Sequence, residues 1–319
     1  MSVGVRGGRL RLVNGLFILC ICGAIAAMST TAPSPVAMMA RANAQQQGDD
    51  EDQERQLFAK EFLQARGTSD QRRNLRNPRG GIQNNADPAS LMLGITLWRL
   101  RPANQKDDPQ ARLLEQEADS EVVLVGERVG SDSRFQEGQK VRLGVESPRT
   151  GYLYVIDREQ YADGTYSEPY LIFPTLKTRG GDNAVVAGRL IEIPDQDDRP
   201  FYFKMTRHRQ DQSGEVLTFL ITFQPLPNLQ LSRKALKLTN EQFSQWEQKW
   251  KSPTKRVELA NHSGKTYTKV EMNAGSNKTV LLSRDDPPPQ TIFRTIGKSR
   301  EGLMVTVPLR YEDPNTRKN

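Results

Sequence analysis

Asp157 and Glu159 stand two residues apart at the end of an apolar run, so their carboxyls share a face if the strand continues. Two acids brought close together are what general acid–base hydrolysis of a glycoside requires. With Asp163 they form the acidic stretch D-R-E-Q-Y-A-D-G over residues 157–164, which also has to be weighed as a cation site. An EF-hand loop places acids at its positions 1, 3 and 5 and glycine at 6. Here the fifth position is Tyr161 and the glycine, Gly164, comes at the eighth. Asp163-Gly164 between two apolar runs reads instead as a hairpin turn, in which aspartate or glycine accepts a positive φ. Asp157, Glu159 and Asp163 stay as candidates for a cation or acid site, and the expectation is a structural hairpin.

Other chemistries lack the residues they need. A Ser-His-Asp device needs a histidine, and the chain has only His208 and His262. His208 lies between Arg207 and Arg209, two cations that argue against a carboxylate partner, and His262 sits in the turn-like N-H-S-G. Zinc takes three or four Cys or His ligands, more than these positions supply. R-G-G-D-N at residues 179–183 lacks the Gly-Lys-Ser/Thr ending of a phosphate loop and reads as a turn. No catalytic residue, metal or cofactor is therefore expected. Phe243, Trp246 and Trp250 fall at i, i+3 and i+7 after a cap at Thr239 or Asn240, which makes them the docking face of a helix. The alternative use of Trp246 and Trp250 is as an aromatic platform for a glycan.

The elements that would position these residues are mostly strands. Residues 141–145 and 217–223 alternate apolar and polar, the mark of half-buried strands, and residues 152–156 are apolar on both faces, as in a central strand. Further strands are expected at residues 91–100, 121–125, 170–173, 190–193, 201–205, 267–272, 291–296 and 303–309, with Pro287-Pro288-Pro289 as a stiff connector. This spacing predicts an all-β fold: an antiparallel β-sandwich or partly closed barrel with one or two accessory helices, preceded by a disordered N-terminal segment. Residues 90–250 form the sandwich, and residues 251–319 are either its extension or a small second unit.

Residues 1–44 read as a signal peptide, with a basic start (Arg6 to Arg11), an apolar run at residues 16–27 and a small-residue site, Ala42-Asn43-Ala44. The apolar run is short for a membrane span. Both cysteines, Cys20 and Cys22, lie in this leader, so a mature chain beginning near Gln45 has no disulfide. Residues 45–89 hold a short helix (residues 55–66) and an Arg/Asn/Gly-rich linker whose five arginines, Arg66 among them, belong to a solvated tether. The chain has 319 residues, 36% hydrophobic and 26% charged, and a net charge of +7. Its mean hydropathy of −0.65 excludes a polytopic membrane protein. Removing the leader leaves 41 of the 45 bases against 38 acids, no mandate for nucleic acid.

Residues 138–164, G-Q-K-V-R-L-G-V-E-S-P-R-T-G-Y-L-Y-V-I-D-R-E-Q-Y-A-D-G, are followed by P-Y-L-I-F-P-T at 169–175 and A-G-R-L-I-E-I-P at 187–194. In that order they resemble the bacterial domain-of-unknown-function family 4384, over roughly residues 120–225. The resemblance implies an exported β domain and carries no site residues. The expected function is thus a non-catalytic, exported β-sandwich that binds or scaffolds at the bacterial cell envelope, in a periplasmic, cell-surface or extracellular location. Its partner would be an envelope protein or polysaccharide, with membrane contact only through an uncleaved leader. A carboxylate-dependent hydrolase of polysaccharide and a carbohydrate-binding module are the alternatives; a buried acid pair of raised pKa in a cleft would favour the hydrolase.

Overall fold

The computed structural model describes residues 55–67, 91–117, 120–130, 132–259, 263–276, 280–296 and 301–312. The leader, His262 and most of the Arg/Asn/Gly-rich linker lie outside the described residues. Two sheets face each other, and neither closes into a barrel. The first is eight-stranded, with β1 (Met92–Pro102) at its centre. On one side β1 pairs with β5 (Lys140–Glu146), which continues to β9 (Leu190–Ile193) and β10 (Phe203–Lys204). On the other side, β3 (Ser120–Val129) and β14 (Thr291–Thr295) share its length. β2 (Arg112–Glu117) and β13 (Thr254–Glu258) lie outside these two.

The second sheet is seven-stranded, in the order β12 (Leu236–Lys237), β7 (Tyr170–Phe173), β6 (Gly151–Tyr161), β11 (Gln212–Thr222), β15 (Gly302–Tyr311) and β4 (Arg134–Phe135). β8 (Ala184–Val185) pairs with the start of β6. The pairing is antiparallel throughout except between β15 and β4, which run parallel. The residues after 250 are therefore an extension of the sandwich, because β14 lies beside β1 and β15 beside β11.

Period-2 patterning decides which side chains meet in the core. Leu93, Ile95 and Leu97 of β1 and Val141, Leu143 and Val145 of β5 point inward from the first sheet. Leu153 and Val155 of β6, Leu217, Phe219 and Ile221 of β11, and Leu303 to Leu309 at alternate positions of β15 meet them from the second. Helices cover the outer faces. α1 (residues 55–63) buries Phe58 and Phe62 against Met92, Val257 and Ile292. α2 (Asn240–Trp250), capped by Thr239, lays Phe243, Trp246 and Trp250 over Tyr154, Ile156, Leu220 and Met304. No described helix is long and apolar enough to cross a membrane.

Two expectations are corrected. The predicted strand over residues 267–272 is broken by α3 (Lys269–Ser276). Thr268 and Glu271 form a reciprocal cap, the threonine Oγ1 accepting from the Glu271 amide at 3.2 Å and Glu271 Oε2 accepting from the Thr268 amide at 3.0 Å. Arg66 is not part of a solvated tether. It is 1% exposed, and its Nη2 donates to Glu146 at 2.6 Å.

Candidate functional site

The inward-facing rows of β6 and β11 change character at one end of the sandwich. On β6 the sequence Leu153, Val155 continues in the same parity to Asp157 and Glu159; on β11 the row Ile221, Phe219, Leu217 continues back to Glu215. Cross-strand register sets Asp157 opposite Leu217 and Glu159 opposite Glu215. The last inward residue of β15, Tyr311, follows Leu309 in the same way. The acids thus stand where the apolar core runs out, and Asp157 and Glu215 line a cavity of about 180 Å³ between β5 and β10 of one sheet and β6, β7, β11 and β15 of the other.

Its walls include Val141, Leu143, Ile172, Met205, Leu217 and Leu309; Asp157, Glu215, His208, Thr206 and Lys204 supply the polar part. Like charges directly opposite on paired strands repel, and three donors answer them. Tyr161 Oη donates to Glu159 Oε2 at 2.8 Å, Tyr311 Oη donates to Glu215 Oε1 at 3.2 Å, and His208 Nδ1 lies 2.5 Å from Glu159 Oε1. The carboxylate partner of His208 corrects the expectation drawn from its flanking arginines. Arg207 turns away to stack on Tyr311 and reach the Glu312 carbonyl, and Arg209 pairs with Asp211.

Asp157 is treated differently. Its Oδ1 is shut off from solvent and has no hydrogen-bond partner. Burial, with the negative charge of Glu159 added, pushes its carboxyl from an ordinary 3.8 up to about 7. Burial also pushes Glu215 up to about 8, reinforced by Asp157 and opposed by the Tyr311 hydrogen bond. Burial drives the Tyr311 hydroxyl upward, with the charge of Glu215 second. The arrangement can hold and release protons near neutrality and offers carboxylate oxygens to a donor.

The structure brings Asp157 and Glu159 together and leaves Asp163 out. Asp163 sits in the exposed turn after β6, where its Oδ1 accepts from the Thr165 amide at 2.9 Å and from its hydroxyl at 2.6 Å. Gly164 takes a φ of +83° there, as the hairpin reading requires. Asp157 and Glu159 belong to β6 itself rather than to the turn. Glu215 and Tyr311 were missed in the sequence, although the parity of Leu217, Phe219 and Ile221 points back to Glu215. Trp246 and Trp250 are 9% and 7% exposed beneath α2, so neither offers a free ring face to a glycan. No three His, Cys, Asp or Glu side chains among the described residues are arranged to hold a metal ion. No family model matches the chain, and no curated protein or solved structure is significantly similar to it.

Proposed function

We propose that the protein is exported and acts without catalysis, as a binding or scaffolding component at the bacterial cell envelope, with the carboxylate cleft as its ligand site. The observation that carries this reading is the cavity at the sandwich mouth, where Asp157 and Glu215 line an otherwise largely apolar wall. The basic–apolar–small leader and the resemblance over residues 120–225 support export and an envelope setting. At about 180 Å³ the cavity is smaller than the roughly 300–1,000 Å³ of most small-molecule sites. It suits a single functional group or side-chain end better than a length of polysaccharide.

The test is retention of envelope fractions on the immobilised protein. Wild type should hold envelope material that an Asp157→Asn/Glu215→Gln double variant, folded by its melting curve, releases; equal retention by both overturns the reading. One observation favours the hydrolase alternative, the pair of carboxyls titrating at about 7 and about 8 in one cleft. Release of reducing sugar ends from envelope polysaccharide, lost in Glu215→Gln, would establish that reading instead.

A further inference from the structure

We infer that the cleft binds an alkylammonium group, an aliphatic stem ending in a primary ammonium, seated on Asp157 and Glu215. The inference rests on the reading of the cleft as the ligand site and names the chemistry of what enters it. Three carboxylates converge at this end of the sandwich; the side-chain donors go to Glu159 and Glu215, and Asp157, which lines the cavity with Glu215, has the Arg158 amide as its donor. Two carboxylates lining one small cavity, with no side-chain cation between them, are complementary to a cationic donor. The walls fit the rest of the ligand: Val141, Leu143, Ile172 and Leu309 offer methyl and methylene surface and no acceptors to a hydrated metal ion. By volume the cavity holds about six waters' worth of atoms, which matches a short stem and its head.

The head is an ammonium rather than a guanidinium for a geometric reason. A guanidinium fork is best matched by both oxygens of one carboxylate in its plane. Here the oxygens come from two strands, Asp157 from β6 and Glu215 from β11, and the three diverging donors of an ammonium can meet both. The neighbouring cations are engaged elsewhere or stand at the rim. His208 is on Glu159, Arg207 on Tyr311 and Glu312, Arg209 on Asp211, and Lys204 is exposed on β10 at the edge of the cavity.

Seating the ammonium ionises carboxyls that hold protons near neutrality, so each binding event transfers protons from Asp157 and Glu215 to the buffer. The experiment is titration calorimetry of the full chain near neutral pH, in phosphate and in HEPES, with 1,5-diaminopentane and with Nα-acetyl-lysine amide. Saturable binding of either, with a heat that differs between the two buffers and roughly tenfold weakening in both Asp157→Asn and Glu215→Gln, is expected. Binding of the lysine amide with no binding of the diamine identifies a partner's lysine as the source; the reverse identifies a free amine. Lys204→Met, which removes a like charge from the polar lining of the cavity, should bind the ammonium probes more tightly than wild type. Absence of saturable binding at millimolar concentration, equal binding of pentan-1-ol, or preferential competition by calcium chloride overturns the inference. If the ammonium probes fail while envelope retention still depends on Asp157 and Glu215, the ligand class falls and the cleft reading survives.

Discussion

At the scale of single residues, Asp157 and Glu215 are in tension with the fold that holds them. Each carboxyl keeps a proton in the folded chain that the unfolded chain, titrating at about 4, has already released. The folded state therefore binds more protons between about pH 4 and 8, and stability falls as pH rises through that window. The melting midpoint should decline from pH 5 to pH 8 by about an amount equivalent to 1–3 kcal/mol. Asp157→Asn and Glu215→Gln should flatten the decline and raise the midpoint at the alkaline end; a pH profile parallel to wild type in both variants would contradict the burial argument. Gly164 makes a separate point. Its φ of +83° penalises a β-branched side chain although the space around it is open, so Gly164→Val should destabilise by about 1–2 kcal/mol in chemical denaturation.

Among the elements, the two outer helices are held by different means. α2 is an amphipathic helix whose aromatic stripe fills the outer face of β6, β11 and β15, and Gly302 leaves room for the edge of Trp250. Trp246→Ala should cost roughly 3–5 kcal/mol, the range for large aromatic truncations in cores, read as a shift of the denaturation midpoint. α1 is held at its end by backbone proximity and one guanidinium. A Cβ on Gly188, which has a φ of +71°, would fall 2.6 Å from the Ala65 carbonyl oxygen, just before the buried Arg66–Glu146 pair. Gly188→Ala should loosen this terminus, so that limited proteolysis cuts near residues 64–67 faster than in wild type. α3 was legible in principle, because Thr268-Lys269-Val270-Glu271 is a capping box. The apolar residues Val270 and Met272 alternate over too short a window to separate helix from strand.

For the whole molecule, segments distant in sequence are closed by buried arginine–glutamate pairs on the outer side of the first sheet: Arg66–Glu146, Arg128–Glu271 and Arg142–Glu192. Tyr267 stacks on Trp98 with ring centroids 3.8 Å apart and donates its hydroxyl to Glu192, so the last pair also ties residues near the C-terminal helix to the sheet. Breaking such a pair leaves a buried charge alone, and Glu192→Gln should destabilise by about 3–5 kcal/mol. Replacing Arg142 and Glu192 together by Met and Leu should cost less than Glu192→Gln alone, and equal losses would argue against a charge-pair origin. Sequence by itself determined the β class, the central place of residues 152–156, the docking stripe of α2 and the turn at Asp163-Gly164, because each rests on periodicity or turn chemistry within a dozen residues. It also put Asp157 and Glu159 on one face, since side chains alternate along any strand. Tertiary structure decided which strands became neighbours: β14 against β1, β15 against β11, and β11 against β6. That pairing brought Glu215 and Tyr311 to Asp157, gave His208 its carboxylate partner and buried Arg66. The physical reason is that pairing depends on cross-sheet burial and register summed over strands far apart in the chain, and no local pattern carries that sum.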